Sequence, residues 1–179
     1  RGVHVHYLNI GQPDIPTPEI ALQAVKKANI KVIEYSHSAG NKSFRTKLVE
    51  YYSKFSINLG TEDIIITTGG SEAILIGFLV CLNPGDEVLV PEPFYANYIS
   101  FAKAASASIK TIPTTIEEGF ALPPISTFEN YITEKTKAIM ICNPGNPTGK
   151  IYSRQELEQI KEIVKKHNLF LFFLSREED

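Results

Sequence analysis

Long apolar runs, blocks of like charge and paired cysteines are all missing from this chain, and each absence removes a class of function. No apolar segment reaches the roughly 18 residues that a membrane-crossing helix requires, and the opening residues show no signal-peptide pattern. The net charge is −2, from 18 basic and 20 acidic residues with no basic cluster. Nothing electrostatic therefore points to nucleic acid or an anionic membrane as partner. Cys81 and Cys142 share no metal-ligand spacing and sit in apolar runs, as reduced core cysteines of a cytoplasmic protein do. The four histidines form no metal-ligand pattern: His4 and His6 share one face of a strand, and His167 lies near a helix end where it suits the dipole. No Ser/His/Asp triad can be assembled from the spacing, and neither a Walker loop nor Gly-x-Gly-x-x-Gly is present.

What remains is ordinary globular material, 179 residues with 43% hydrophobic and 21% charged. That length supports one domain, or one and a fraction, with a substantial core. The chain opens with Arg1-Gly2 and not with methionine, which reads as a processed or cropped product.

Thr17-Pro18 is expected to open a helix, with Thr17 as the cap, Pro18 at the first helical position, and Ile20, Ala21, Ala24, Val25 and Ala28 as the apolar face. Residues 35–42 read as irregular loop. A second helix follows, carrying Phe44, Leu48, Tyr51, Tyr52 and Phe55. From Asp63 onward strands and helices alternate. Expected strands are 64–68, 87–90 (ended by Pro91 and Pro93), 108–112, 138–142 and a last buried strand over 169–174. Helices are expected over 73–82 and about 95–105, and after Ser153, which with Glu156 forms a capping-box pattern before the stripe Leu157, Ile160, Ile163 and Val164. This alternation predicts an α/β fold, a three-layer α/β/α arrangement around a mostly parallel sheet.

Three stretches carry candidate chemistry. The segment 143–149, Asn-Pro-Gly-Asn-Pro-Thr-Gly, follows an apolar strand and displays Asn146 at its carboxyl end, where open α/β sheets bind ligands; the bland alternative is a tight connecting turn. Gly69-Gly70-Ser71 follows a β-branched run and opens a helix, so its backbone N–H groups form either an anion site or a plain turn. Glu72 there serves the helix dipole. Phe94, Tyr95 and Tyr98 sit just past another strand end, to stack on a planar ligand or to fill the core.

Six stretches in order carry a family resemblance: Ile10-Gly11-Gln12-Pro13-Asp14, Tyr35 with Ser38-Ala39-Gly40 and Phe44-Arg45, Thr68-Gly69-Gly70-Ser71-Glu72-Ala73, Pro84-Gly85-Asp86, Pro91-x-Pro-x-Tyr95, and the 143–149 segment. Together they resemble the class I/II aminotransferases, pyridoxal-phosphate enzymes of fold type I, over about residues 5–172. The resemblance implies transamination between an amino acid and a 2-oxo acid. It implies that Gly70 and Ser71 bind the cofactor phosphate, and that Tyr95 stacks on the pyridine ring. Asn146 would bond the ring hydroxyl and help hold the substrate carboxylate, near which Gly11 also lies. Tyr35 would reach the phosphate of a neighbouring subunit, so a homodimer is implied. Residues 1–45 would contribute to a small domain and dimer contacts, and 46–179 would form the first part of the large domain.

The same resemblance identifies two departures. The Schiff-base lysine belongs beyond this chain, which is therefore expected to be an amino-terminal fragment that is inactive alone. Leu174 stands where the family places the aspartate that pairs with the pyridine nitrogen; the tail after it fits a frameshift, an artificial end or real divergence. Other readings compatible with the residues are a carbon–sulfur lyase or cyclopropane-forming synthase of the same fold, a truncated binding or regulatory module, and an unrelated nucleotide-binding α/β domain.

Overall fold

The computed structural model describes residues 2, 11 and 13–175. The strand expected to carry His4 and His6, and the tail 176–179, lie outside the described residues.

Four strands, β1 (Glu87–Glu92), β2 (Ser108–Pro113), β3 (Thr136–Asn143) and β4 (Phe170–Ser175), form one sheet in the order β2-β1-β3-β4. Every pairing is parallel. The side-chain period of two divides β1 and β3 between the two faces. Val88, Val90, Ala138 and Met140 meet α3 (Gly70–Cys81) and α4 (Asn97–Ala104) through Ile74, Phe78, Tyr98 and Ala102. Leu89, Ile139 and Ile141 meet α5 (Ile125–Glu129) and α6 (Arg154–Lys166) through Phe128, Ile160 and Ile163. The architecture is the expected three-layer α/β/α arrangement with a parallel sheet.

Connections set the place for a ligand. The chain leaves β1 over α4 to reach β2, then recrosses on the opposite face through α5 to β3, on the other side of β1. The order reverses between β1 and β3, the switch point outside whose carboxyl ends open α/β sheets bind ligands.

Several expectations are corrected. Residues 64–68 form no strand: Ile64 is extended and buried, yet the segment's one recorded backbone bond runs from Ile66 N–H to Ala39 O at 3.0 Å. With no neighbouring strand among the described residues, these β-branched residues have no ladder to join there. β1 does not stop at Pro91 but runs to Glu92. It pairs with β3 only as far as Leu89, so at Pro91 its ladder partner lies on the β2 side alone and the missing N–H is tolerated. β4 is an edge strand, not a buried one, with Phe170 51% and Phe173 46% exposed.

α1 (Glu19–Lys27) begins one residue late: Pro18 is the cap with ψ 126°, and no side chain caps it, so Thr17 does not serve. None of its residues is buried. α2 (Lys42–Ser53) is capped by Asn41, whose Oδ1 accepts from Ser43 N–H at 2.9 Å. Its one buried residue is Arg45, which donates to Gly40 O and Thr61 O. α6 bears the expected capping box, and His167 caps its far end within 3.3 Å of Glu129 Oε1.

α3 lies directly on β4. A Cβ added to Gly77 would stand 2.8 Å from Cε1 of Phe172, and Phe172 meets Phe78 edge-on at 5.0 Å between ring centroids. The helix reaches the sheet because position 77 carries no side chain.

Candidate active site

Two crevices open at the carboxyl ends of the strands, one on each side of Met140. The first is a narrow cleft of about 20 Å³ at the switch point, between Pro91 near the end of β1 with Pro93 and Phe94 just past it, and Cys142 near the end of β3 with Gly145 and Asn146 just past it. The second is wider, about 150 Å³, bounded by Gly70 and Ala73 of α3, by Met140, and by Phe172 and Leu174 of β4. Neither crevice is lined by a lysine.

Asn146 is half-buried in the first crevice on a loop held by its own backbone. Gly145 N–H donates to Lys150 O at 2.7 Å, and Gly149 N–H to Gly145 O at 2.8 Å. Asn143 Oδ1 accepts from Tyr152 N–H at 2.9 Å. A Cβ on Gly145 would fall 2.7 Å from Thr148 Oγ1, so any larger residue there must displace the Thr148 hydroxyl. The peptide bonds before Pro144 and Pro147 are cis. Tyr152 closes the floor; burial, with the Glu156 charge beside it, pushes its hydroxyl up to about 12. It stays protonated at any ordinary pH.

Glu156 fastens this loop to α6. Its Oε2 accepts from Ser153 N–H at 2.7 Å and from the Ser153 hydroxyl at 2.8 Å. Its Oε1 accepts from Leu122 N–H at 3.1 Å and faces Lys150 Nζ at 3.6 Å. Burial opposes the charge, but the hydrogen bonds from Ser153 and Leu122, together with Lys150, outweigh it and hold the carboxyl below the usual glutamate range.

The remaining expected residues divide. Gly70 comes within van der Waals reach of Leu174, its added Cβ standing 3.7 Å from Leu174 Cδ1. Ser71 is exposed in the first turn of α3, where an α-helix leaves its N–H groups unpaired. Glu72 turns back to accept from Thr68 N–H at 2.6 Å and its hydroxyl at 2.9 Å, and these bonds lower its pKa. Tyr95 is half-buried and packs edge-on against Tyr98 at 5.6 Å, its hydroxyl accepting from Asn97 Nδ2 at 2.6 Å. Tyr35 is fully exposed and Gly11 has open space beside it, so neither joins these crevices within one chain. The sequence reading overlooked Cys142 and Tyr152 as crevice walls; their positions at the end and return of the Asn/Pro/Gly loop were the available signal. No group of three or more potential metal ligands occurs among the described residues.

A parallel sheet with crevices outside the strand ends at its switch point defines an open α/β protein of the architecture that places ligand sites there. The chain belongs to the aminotransferase class I and II family, whose sequence model matches residues 3–173. It is 34% identical over 171 residues to the bifunctional aspartate aminotransferase and glutamate/aspartate-prephenate aminotransferase of Petunia hybrida, covering 93% of this chain and 35% of that protein. To the aspartate aminotransferase of Sulfolobus acidocaldarius it is 33% identical over 175 residues, covering 96% and 44%. The crystal structure of aspartate aminotransferase from Thermotoga maritima matches with a TM-score of 0.88 at 29% identity, over 96% of this chain and 46% of that one. The chain thus spans less than half the length of these relatives.

Proposed function

We propose that the complete protein transfers an amino group between an amino acid and a 2-oxo acid with pyridoxal 5'-phosphate, and that this chain supplies one part of the site without the Schiff-base lysine. The observation that carries the reading is the gathering of Gly70, Asn146, Pro93 and Phe94 at the carboxyl end of one parallel sheet, within a chain of this family. Residues 1–45 belong to a small domain and dimer contacts in this reading, and 46–179 to the large domain. Tyr35, fully exposed, reaches the cofactor phosphate of a second subunit in a homodimer. The two unpaired cysteines suit a cytoplasmic setting.

The cofactor's two ends fit this chain differently. Its phosphate suits the first turn of α3, where Gly70 and Ser71 offer N–H groups and Gly69 has open space at its Cβ position. Its pyridine nitrogen does not suit the second crevice, whose far wall is the hydrocarbon of Phe172, Phe173 and Leu174. When bound, the cofactor supplies an electron sink, which an acidic partner of the ring nitrogen strengthens. Leu174 cannot act as that partner. The chain's own residues therefore bind and orient: Gly70 and Ser71 hold the phosphate, Tyr95 stacks on the ring, Asn146 holds the ring hydroxyl and the substrate carboxylate, and Gly11 lies near that carboxylate.

A second reading follows from Leu174, a binding or regulatory module that holds the cofactor without turning over. Calorimetric titration with pyridoxal phosphate and an amino-transfer assay, on both the 179-residue chain and the complete protein, separate the two. Aspartate is the donor to try first, since the relatives above are aspartate aminotransferases. Binding with transfer by the complete protein supports the first reading, and binding without transfer supports the second. Absence of binding by the complete protein overturns both.

A further inference from the structure

We infer that Glu156 is a positioning residue for Asn146, fixing the 143–152 loop through Lys150; the inference rests on the reading of Asn146 as cofactor- and substrate-facing. The two oxygens of Glu156 do different work. Oε2 alone meets both Ser153 groups and completes the cap of α6. Oε1 takes no part in that cap. It binds Leu122 N–H at 3.1 Å and stands 3.6 Å from Lys150 Nζ, with both side chains of the ion pair mostly buried, at 21% and 15% exposure.

Lys150 is in turn the closing residue of the loop. Its carbonyl accepts from Gly145 N–H at 2.7 Å, and its own N–H donates to Thr148 Oγ1 at 3.2 Å. Asn146 sits inside the ring so closed, between Gly145 and Thr148. One carboxylate thereby joins three segments: the Asn146 loop, the stretch at Leu122 and the first turn of α6. A capping residue needs a single acceptor. The second oxygen, partly buried and aimed at two donors outside the helix, has its use in the loop.

Substitutions separate this role from capping. Glutamine has one acceptor oxygen for two jobs, so E156Q keeps the Ser153 cap and turns an amide toward Lys150 and Leu122. S153A weakens the cap and leaves Oε1 in place. Amide hydrogen exchange on the full chain reads both regions separately. E156Q and K150M are expected to speed exchange at Gly145 and Gly149 by about tenfold while the amides of Ile160 and Ile163 keep their rates. The double variant should add nothing to either single one, and S153A should leave both glycine amides unchanged. Unchanged glycine amides in E156Q and K150M, or equal opening of the loop in S153A, would overturn the inference.

A pyridoxal phosphate titration of the complete protein supplies the functional arm. Weaker binding in E156Q than in S153A supports positioning of Asn146. An opened loop with unaltered affinity overturns it, and no binding by the parent protein overturns the functional reading alone, leaving the exchange pattern to decide what Glu156 does to the loop.

Discussion

α1 and α6 carry the same kind of apolar stripe, yet only one of them has anything to cover. Ile160 and Ile163 of α6 are 2% and 1% exposed against the β1 and β3 face of the sheet, while Ile20 and Val25 of α1 are 82% and 77% exposed. Both helices are nine residues or longer, and both place basic residues in the last turn. The difference is therefore not in helix propensity or in pattern. Amphipathic spacing specifies a face, and a partner must come from elsewhere in the fold; α6 finds one because the crossover from β3 to β4 lays it on the sheet. Most helical stability comes from such packing, so α6 is held and α1 stands on local bonds such as Gln23 Nε2 to Glu19 Oε1 at 2.6 Å.

Substitution in the packed helix has the largest expected effect. Ile160→Ala removes a side chain that is 2% exposed and should cost about 2–5 kcal/mol, read as a lower urea midpoint. A loss near zero would mean that α6 is no better packed than α1. Next comes association. The exposed stripe of α1, with Phe170 and Phe173 on the open edge of β4, is an apolar surface in search of cover. Light scattering on the purified chain should give a mass well above the 19.9 kDa of one copy, falling toward it on dilution or in Phe173→Lys. A monodisperse monomer would show that α1 is not the exposed helix described.

Acid should act through Glu156, mainly on its ties to Lys150 and Leu122. Because Glu156 binds its proton more weakly in the folded chain than in the unfolded one, the stability it contributes is complete above the ordinary glutamate value of about 4.3. That contribution is lost as pH falls through the lower folded value. The stability gap between parent and Glu156→Gln should therefore be present at neutral pH and close in acid, measured by urea unfolding across the range. Smallest is Val25→Ala in α1, expected within about 0.5 kcal/mol of the parent. A cost approaching that of Ile160→Ala would reveal a partner for α1 and erase the contrast.

Much of this was legible because it is local. The Ser153–Glu156 box needs only three residues of spacing, and the structure has both of its bonds. The 138–142 run announced a buried strand, and Ala138, Ile139, Met140 and Ile141 are all at or below 1% exposure. What failed was decided by neighbours. Residues 64–68 have strand composition but no strand beside them among the described residues, and 169–174 looks central until the sheet order places it at an edge. Pro91 is a sound stop signal that β1 ignores because its β3 ladder has already ended. At the candidate site, the position of Asn146 beyond β3 could be read from its loop, whereas the ties from Glu156 to Lys150 and Leu122 span 6 and 34 residues and leave no local pattern.

Gly77 gives the fold a narrow tolerance to sequence drift. With Phe172 so near the backbone of α3, a methyl group at position 77 must push the helix outward or turn the ring. Either response moves Gly70, two turns upstream on the same helix, relative to Leu174 on the strand that bears Phe172. Position 77 is thus a spacer whose thickness sets the width of the cleft at the helix's far end. Descendants of this chain that alter what enters that cleft have a route that touches no residue lining it.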